Sequence, residues 1–469
     1  MTLTRRRLLR WGVGLGATAG IGLAGRSLLL PPRPSTLLAP LPDLATRLFD
    51  ALDADEKAEA CVDYDHPLRQ YHNRGVDTGG IWAFKVSRHA RSILVDLVHA
   101  GLSPKGRQRL PSQFFLDWPG VHVARLLICG DPRHPPYQVL VTGPHLNLRL
   151  GGRNREGVAF GGPQVYGDQR GNGKPGLPGN IYRYQLERAH EVFASLTPAE
   201  RKASRRDKAP VQTDIALRGR DGVFDGIPVA DLSARSRGLA RGLAAAILEN
   251  YADEDVAYAW DCIEHNGGVD ALFLAEYDQD HQGGRRAGQG PSQIFRLEGP
   301  AAVLYFRGEP HLHAFLNVAM DGDAPLSVGE LVAMNPTALD AAGVKALFEV
   351  IMLEQTGADL AHYPAVGVAG RLRAGPIRTG DLYTLENWRD RLAVVEVKGA
   401  NLADPMRAEL RSRGSAVQLR RTYRIATVRY VADELADEVL GTVESDETGA
   451  MLRDVAIAHL TERGFPSHG

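Results

Sequence analysis

Cysteine is scarce in this sequence: three in 469 residues, at Cys61, Cys129 and Cys262. An odd count permits at most one disulfide. No Cys-x-x-Cys pair exists to build a zinc ribbon or a thioredoxin-like site. A surplus of charge is also missing. Lys+Arg 55 against Asp+Glu 56 leaves a formal net charge of −1, which speaks against a chain-wide electrostatic grip on nucleic acid. The 51 glycines and 28 prolines follow no period, so collagen-like and low-complexity classes are out. Beyond residue 30 no apolar run reaches the roughly 20 residues that span a bilayer. What the chain does have is length, enough for two or more cored domains.

The first thirty residues read as a targeting segment. Arg5-Arg-Arg7, Leu8-Leu9 and Arg10 precede a Gly-rich, weakly apolar run from Trp11 to Gly25. Paired arginines, two leucines, a basic residue and a mild apolar stretch look like a twin-arginine export signal. The competing reading is an uncleaved anchor, but Arg26 ends the run after about fifteen residues, short of a span. No cysteine follows for lipid attachment. The expected location is therefore periplasmic or secreted. The twin-arginine translocation machinery is the transport partner, and no stable membrane insertion follows cleavage. Residues 1–30 carry five arginines and no Asp or Glu, so removing them takes the formal charge from −1 to −6.

A Pro-rich linker over 31–44 is followed by alternating helical and strand patterns. Helices are expected over 44–60, 88–100, 186–196 and 233–251, the last with Ser233 as N-cap. Strands are expected over 137–141, 145–150, 301–307 and 311–320. Asp323-Ala-Pro325 reads as a boundary. Beyond it come a helix over 341–355, strands over 392–398 and 423–430, and a closing helix over 451–463. Hairpin-length loops and mixed elements predict an α+β protein of two domains with mostly antiparallel sheet, at 45–325 and 326–469.

Six short pieces in a fixed order carry a resemblance over about 45–320. They are Val62-Asp-Tyr-Asp-His-Pro-Leu-Arg69, Leu97-Val-His-Ala-Gly-Leu-Ser103, Gly143-Pro-His-Leu-Asn-Leu148, Ala194-Ser-Leu-Thr-Pro-Ala-Glu-Arg201, Gly226-Ile-Pro-Val-Ala-Asp-Leu232, and Arg296-Leu-Glu-Gly-Pro300 with His311-Leu-His313. Together they resemble the exported bacterial family catalogued as domain of unknown function 3500, which implies no activity. The chain departs from the family at Pro144-His145, where paired histidines are typical. It departs again at Leu304-Tyr-Phe306, where an acidic stretch is typical.

A second resemblance covers about 326–469. Thr356-Gly-Ala-Asp-Leu, Ala374-Gly-Pro-Ile-Arg-Thr-Gly-Asp-Leu-Tyr-Thr384, Leu392 to Leu402 and Tyr423-Arg-Ile-Ala-Thr427 together look like the substrate-recognition domain of 5′-nucleotidases. That resemblance implies nucleotide recognition and a role in nucleotide catabolism. It places Trp388 at the family's base-stacking aromatic and Asp390 at its Asn. The family's substrate-binding Arg is replaced by Ala369, with Arg371 and Arg373 nearby to compensate. The dimetal phosphatase that partners this domain needs Asp-x-His, Gly-Asp, Asn-His-Glu and Gly-His-x-His elements. Only Gly130-Asp131 and the loosely similar Glu309-Pro-His-Leu-His313 occur.

The strongest local chemistry is His311-x-His313. Residues two apart on a strand share a face, about 7 Å apart. His311, His313, Phe315 and Asn317 fall on one face; Leu312, Ala314, Leu316 and Val318 fall on the other. His145, Asn147 and Arg149 repeat the arrangement. If the strands are neighbours, His145, His311 and His313 converge as ligands for Zn, Cu or Fe. The bland reading is a solvated polar strand face. Loop readings are preferred for 278–290 and for the glycines around Arg170 and Lys174. A turn before Pro67 is preferred for Asp63, Asp65 and His66, and buried thiols for Cys129 and Cys262.

Two functions are carried forward. One is an exported metal-dependent hydrolase centred on His145, His311 and His313, whose C-terminal module recognises a nucleotide-like or phosphorylated small molecule through Trp388, Asp390, Arg371 and Arg373. The other is a non-catalytic periplasmic ligand-binding or interaction protein with a decayed nucleotidase-type site.

Overall fold

The computed structural model describes residues 35–70, 79–109, 124–143, 145–151, 157–168, 180–280, 294–308, 312–324 and 327–466. The chain is α+β and divides into two compact units. The larger holds Pro32–Val344 and Val366–Trp388; the smaller holds Lys345–Ala365 and Arg389–Gly469. The chain thus leaves the larger unit, returns to it for residues 366–388, and leaves again.

The larger unit is built on a twelve-stranded sheet. In chain order its strands are β1 (Cys61–Val62), β2 (Ile81–Trp82), β3 (Arg125–Cys129), β4 (Gln138–Gly143), β5 (Leu146–Leu150), β6 (Gln164–Asp168), β7 (Arg205–Lys208), β8 (Ile227–Pro228), β9 (Phe273–Gln279), β10 (Ile294–Gly299), β11 (Ala302–Arg307) and β12 (Leu312–Val318). The order across the sheet is β1-β3-β4-β5-β6-β12-β11-β10-β9-β7, with β2 on β3 and β8 on β9. Neighbours are antiparallel except β1–β3 and β7–β9. β5 and β12 are not paired; β6 lies between them.

Alternation decides both faces of this sheet. Leu146, Leu148 and Leu150 of β5, Phe295 and Leu297 of β10, Leu304 and Phe306 of β11, and Leu312, Ala314 and Leu316 of β12 all join one apolar core. Helices Leu41–Ala51, Arg88–Ala100, Arg183–Ser195, Ala234–Leu248 and Asp253–His265 supply the other side of that core. Arg88–Ala100 forms because Ile93, Leu94, Leu97 and Val98 make one buried stripe and Ser87 accepts from Ala90 N at the start. Ser233 caps its helix as expected, accepting from Ser236 N. The single helix expected over 44–60 is two, Leu41–Ala51 and Ala54–Ala60. Asp53 interrupts it with a capping box, its side chain accepting from Glu56 N while Glu56 accepts from Asp53 N.

Alternation alone leaves the sheet's other face open as a solvated, polar or ligand-binding surface. It is buried: His313 is 0 % exposed, Arg296 1 % and Glu298 2 %. An irregular strap, residues 209–226, crosses it and packs Ala209, Ile215 and Leu217 onto Val165, Ala275, Tyr277, Val303, Tyr305 and Phe315. Gly226 shows why glycine ends the strap. Its φ is +98°, and a Cβ there would lie 2.0 Å from the Leu274 carbonyl oxygen.

Residues 331–335 and 375–378 form a separate antiparallel pair in the larger unit. The smaller unit is a four-stranded sheet in the order 360–361, 422–428, 391–402, 441–451. Helix Leu452–Arg463 follows its last strand. All three cysteines are free thiols. Cys61 packs on the helix-covered side of the sheet, whereas Cys129 packs with Leu127 and Leu140 on the other. No described helix is long and apolar enough to cross a membrane.

Candidate functional site

Polar groups fill the layer between the sheet and the strap, because β5, β10, β11 and β12 place them on that face at every second position. Glu298 lies 2.8 Å from Arg218 Nε and 3.3 Å from Arg296 Nε. Arg296 Nη2 donates to the Asp214 carbonyl at 2.8 Å. Burial works against the Arg296 charge, but Glu298, Tyr277 and Asp214 outweigh it and leave its pKa raised. Asn317 Nδ2 donates to Ile215 O at 2.9 Å. The strap is therefore held by side chains of the sheet through its own carbonyls.

At one end of this layer lies a cavity of about 270 Å³, formed wholly within the larger unit. Four guanidinium groups line it, Arg69, Arg149, Arg371 and Arg373, against two carboxyl groups, Asp323 and Asp381. Arg149 ends the polar row of β5 and is 4 % exposed. Its Nε donates to Pro163 O at 2.9 Å and its Nη1 to Gln138 Oε1 at 3.0 Å; it also donates to Arg69 O. Gly162 (φ +131°) lets the backbone pass over it, since a Cβ would stand 3.3 Å from Arg149 Nε. Burial and then the neighbouring Arg69 pull the Arg149 guanidinium down to about 9. Arg69 comes from the one-turn helix Pro67–Arg69, which begins where His66 Nδ1 accepts from Leu68 N. It lies 4.0 Å from the Tyr64 ring centroid.

The opposite wall comes from residues 369–385. Arg373 Nη2 donates to Leu217 O at 2.6 Å and to Gly322 O at 2.5 Å. The Gly-Pro-Ile-Arg-Thr-Gly-Asp motif becomes strand Gly375–Arg378 followed by helix Thr379–Leu385. Asp381 accepts from Arg378 N at 2.8 Å. Burial lifts the Asp381 carboxyl above its usual range, against the pull of Arg378 and Ser327. The cavity thus has an excess of positive charge held by fixed carbonyls, a setting in which an anion gains charge-assisted hydrogen bonds with little water to compete.

The expected site residues are distributed as follows. Arg371 and Arg373 line the cavity. Trp388 is half-buried at the end of the larger unit and is not among the cavity's lining residues. Asp390 belongs to the smaller unit, where its carboxylate accepts from Tyr430 N at 3.1 Å at the start of helix Arg429–Glu434. His145 and His313 meet, with ring centroids 5.3 Å apart. His311 lies outside the described residues, as do Arg170, Lys174 and most of the 278–290 loop. His313 Nδ1 lies 2.9 Å from Gln212 Oε1 and also contacts the Arg307 guanidinium. The Arg307 guanidinium lies in turn 3.8 Å from the Asp280 carboxylate. Among the described residues no group of three His, Cys, Asp or Glu stands close enough to hold one.

Sequence reasoning did not single out Arg69, Arg149 or Asn317 as cavity residues. The signal was present, because Arg149 and Asn317 both occupy the polar positions of alternating strands. A charge at such a position reads as solvated unless something covers the face, and the strap has no periodic pattern to announce itself.

No curated protein matches the chain. Among solved structures, it is similar to a 5′-nucleotidase precursor from Thermus thermophilus, at 15 % identity, 42 % of this chain, 52 % of that chain and a TM-score of 0.26. It is similar to a putative 5′-nucleotidase from Staphylococcus aureus, at 12 %, 37 %, 48 % and 0.21. It is also similar to an NAD nucleotidase from Haemophilus influenzae, at 11 %, 41 %, 55 % and 0.23. The chain spans about half the length of each. Residues 337–415 match the 5′-nucleotidase C-terminal domain. Residues 37–314 match the family described as protein of unknown function (DUF3500); that is more than half of the 469 residues, and the chain belongs to this family.

Proposed function

We propose that this is an exported protein that recognises a small phosphorylated molecule in the arginine-lined cavity. The observation that carries the reading is the composition of that cavity: four arginines converge on about 270 Å³, and its described lining holds two carboxyl groups, with Asp65 reaching Arg69 at 3.7 Å from outside it. Arg149 is held by the Pro163 and Arg69 carbonyls and the Gln138 amide oxygen. The match of residues 337–415 to a 5′-nucleotidase C-terminal domain supports a phosphorylated ligand, since the cavity's Arg371 and Arg373 belong to that stretch. The N-terminal arginines and the short apolar run after them support export. Binding is the role the geometry favours. The imidazole pair His145–His313 stands against Arg307, and no hydrolytic step is assigned to it.

Calorimetric titration with inorganic phosphate tests the reading. Removing one charge-assisted contact costs about 1.5–3 kcal/mol, so Arg149→Met and Arg371→Ala should each weaken phosphate binding about 10- to 100-fold. Failure of inorganic phosphate and of adenosine 5′-monophosphate to bind, or affinities that neither substitution alters, would refute it.

A further inference from the structure

We infer that the smaller unit docks on an anionic lipid surface through its loop 411–421, with Leu419 entering the headgroup layer and the flanking arginines meeting lipid phosphates. The loop follows helix Asp404–Ser412 and leads into strand Thr422–Val428. It reads Arg411-Ser-Arg-Gly-Ser-Ala-Val-Gln-Leu-Arg-Arg421, an uncharged stretch with two arginines on either side. Every residue from 411 to 422 is exposed except the partly buried Val417, and Leu419 is 59 % exposed. The backbone holds the leucine out. Leu419 O accepts from Ala400 N at 3.0 Å, Arg421 O accepts from Gly399 N at 2.8 Å, and Ser415 N donates to Leu410 O at 2.9 Å. Gln418 N donates to the Tyr423 hydroxyl at 3.0 Å. A loop fixed in this way loses little conformational freedom on docking.

Charge gathers around that loop. Six arginines fall within 404–424, against Asp404 and Glu409. Contacts bring them to one end of the smaller unit's sheet. Arg407 donates to the carbonyls of Gly399, Ala400 and Leu402, the first two of which also donate to the loop. Arg421 pairs with Asp359, whose other oxygen accepts from Arg424 N at 2.9 Å. Arg413 pairs with Glu409 at 2.8 Å. Arg411 and Arg420 are exposed and have no carboxylate partner among the described residues. With Asp359 counted, the cluster keeps three positive charges in surplus; taken from the −6 of the chain beyond residue 30, that leaves −9 elsewhere. Arg407 and Arg411 also stand four apart on one helix, a spacing at which like charges repel. An anionic surface relieves that repulsion. A bilayer answers both features of the loop: its phosphates take charge-assisted hydrogen bonds from the arginines, and its headgroup boundary covers the apolar tip. A soluble polyanion leaves Leu419 in water.

Co-sedimentation with vesicles decides the matter, using the chain without its first 31 residues, whose own arginines and apolar run would bind lipid. The probes are vesicles of phosphatidylcholine and phosphatidylglycerol in equal parts, vesicles of phosphatidylcholine alone, and inorganic polyphosphate. The chain should bind the mixed vesicles at low salt, release them at high salt and ignore phosphatidylcholine alone. Arg411→Ser combined with Arg420→Ser should weaken binding to the mixed vesicles about 30-fold, the usual value of two arginines near such a surface. Leu419→Ser should weaken it about tenfold through the lost apolar contact, and leave polyphosphate binding within about twofold. All three positions are exposed, and circular dichroism checks that the variants fold. Should the double variant not fold, the salt dependence and Leu419→Ser decide. No binding to the mixed vesicles, equal binding to phosphatidylcholine alone, or vesicle binding that the folded variants leave unchanged overturns the inference. Polyphosphate binding with vesicle binding indifferent to Leu419→Ser also overturns it and assigns the loop to a soluble polyanion. The phosphate reading of the cavity is tested separately and stands under any of these outcomes.

Discussion

Replacing Glu298 by Gln removes one charge from the layer that anchors the strap and leaves the shape of the side chain nearly unchanged. Arg218, Arg296, Asp214 and Glu298 meet there within 4 Å of one another in a chain of contacts, and Arg371 also bears on Glu298. Glu298 is the carboxylate within 3.3 Å of both guanidinium groups, whereas Asp214 reaches Arg218 only at 3.9 Å. Arg296 is 1 % exposed and Glu298 2 %, so water cannot replace what is lost. After the substitution the cluster carries one uncompensated buried positive charge. Breaking a buried pair in this way costs about 3–5 kcal/mol, far more than loss of a surface ion pair. Pairing Glu298→Gln with Arg296→Met restores neutrality. The double variant should then be more stable than the sum of the single changes implies, by about 1–3 kcal/mol.

The assay can be confined to the unit concerned. Of the five tryptophans, Trp82, Trp118, Trp260 and Trp388 belong to the larger unit, Trp11 lies in the first 31 residues, and none falls within 345–365 or 389–469. Urea unfolding followed by tryptophan fluorescence of the chain without its first 31 residues therefore reports the larger unit. With an m-value near 3 kcal/mol/M, the midpoint of Glu298→Gln should fall by about 1 M or more. A loss below about 1 kcal/mol, or strictly additive effects in the double variant, would refute the argument that this carboxylate neutralises both arginines.

Two further outcomes are expected. Burial, reinforced by Lys345, pulls the His362 imidazole down to about 4 in the smaller unit, below its usual 6.5; the unfolded chain therefore binds the extra proton between those values, and stability should fall as pH drops through that window and level off below it. The ring is half-buried, so the loss should be about 1–2 kcal/mol rather than the full shift, and His362→Gln should flatten that part of a stability–pH curve followed by far-ultraviolet circular dichroism. Asp390→Ala should cost about 1 kcal/mol by uncapping helix Arg429–Glu434, measured as the urea midpoint of the smaller unit by circular dichroism; Asp390→Asn should lose clearly less, since its amide oxygen still accepts from Tyr430 N.

The sequence by itself determined most of the elements. Helix Arg88–Ala100 and strands Ala302–Arg307 and Leu312–Val318 follow from local periodicity, and periodicity is a property of neighbours along the chain. The same alternation put His145, Asn147 and Arg149 on one face, and His313, Phe315 and Asn317 on one face. It also showed Arg371 and Arg373 as charges near a motif. Only the tertiary structure decided what those faces meet. β12 arrives from far along the chain to pair with β6, which separates it from β5, and strap 209–226 turns a face that reads as solvated into a buried one. The return of residues 366–388 to the larger unit brings Arg371 and Arg373 to Arg69 and Arg149, some 220 to 300 positions earlier. The same return leaves Asp390 in the smaller unit as a helix cap. Alternation fixes the side a residue points to, but the cover on that side is set by long-range packing, which leaves no local period to read.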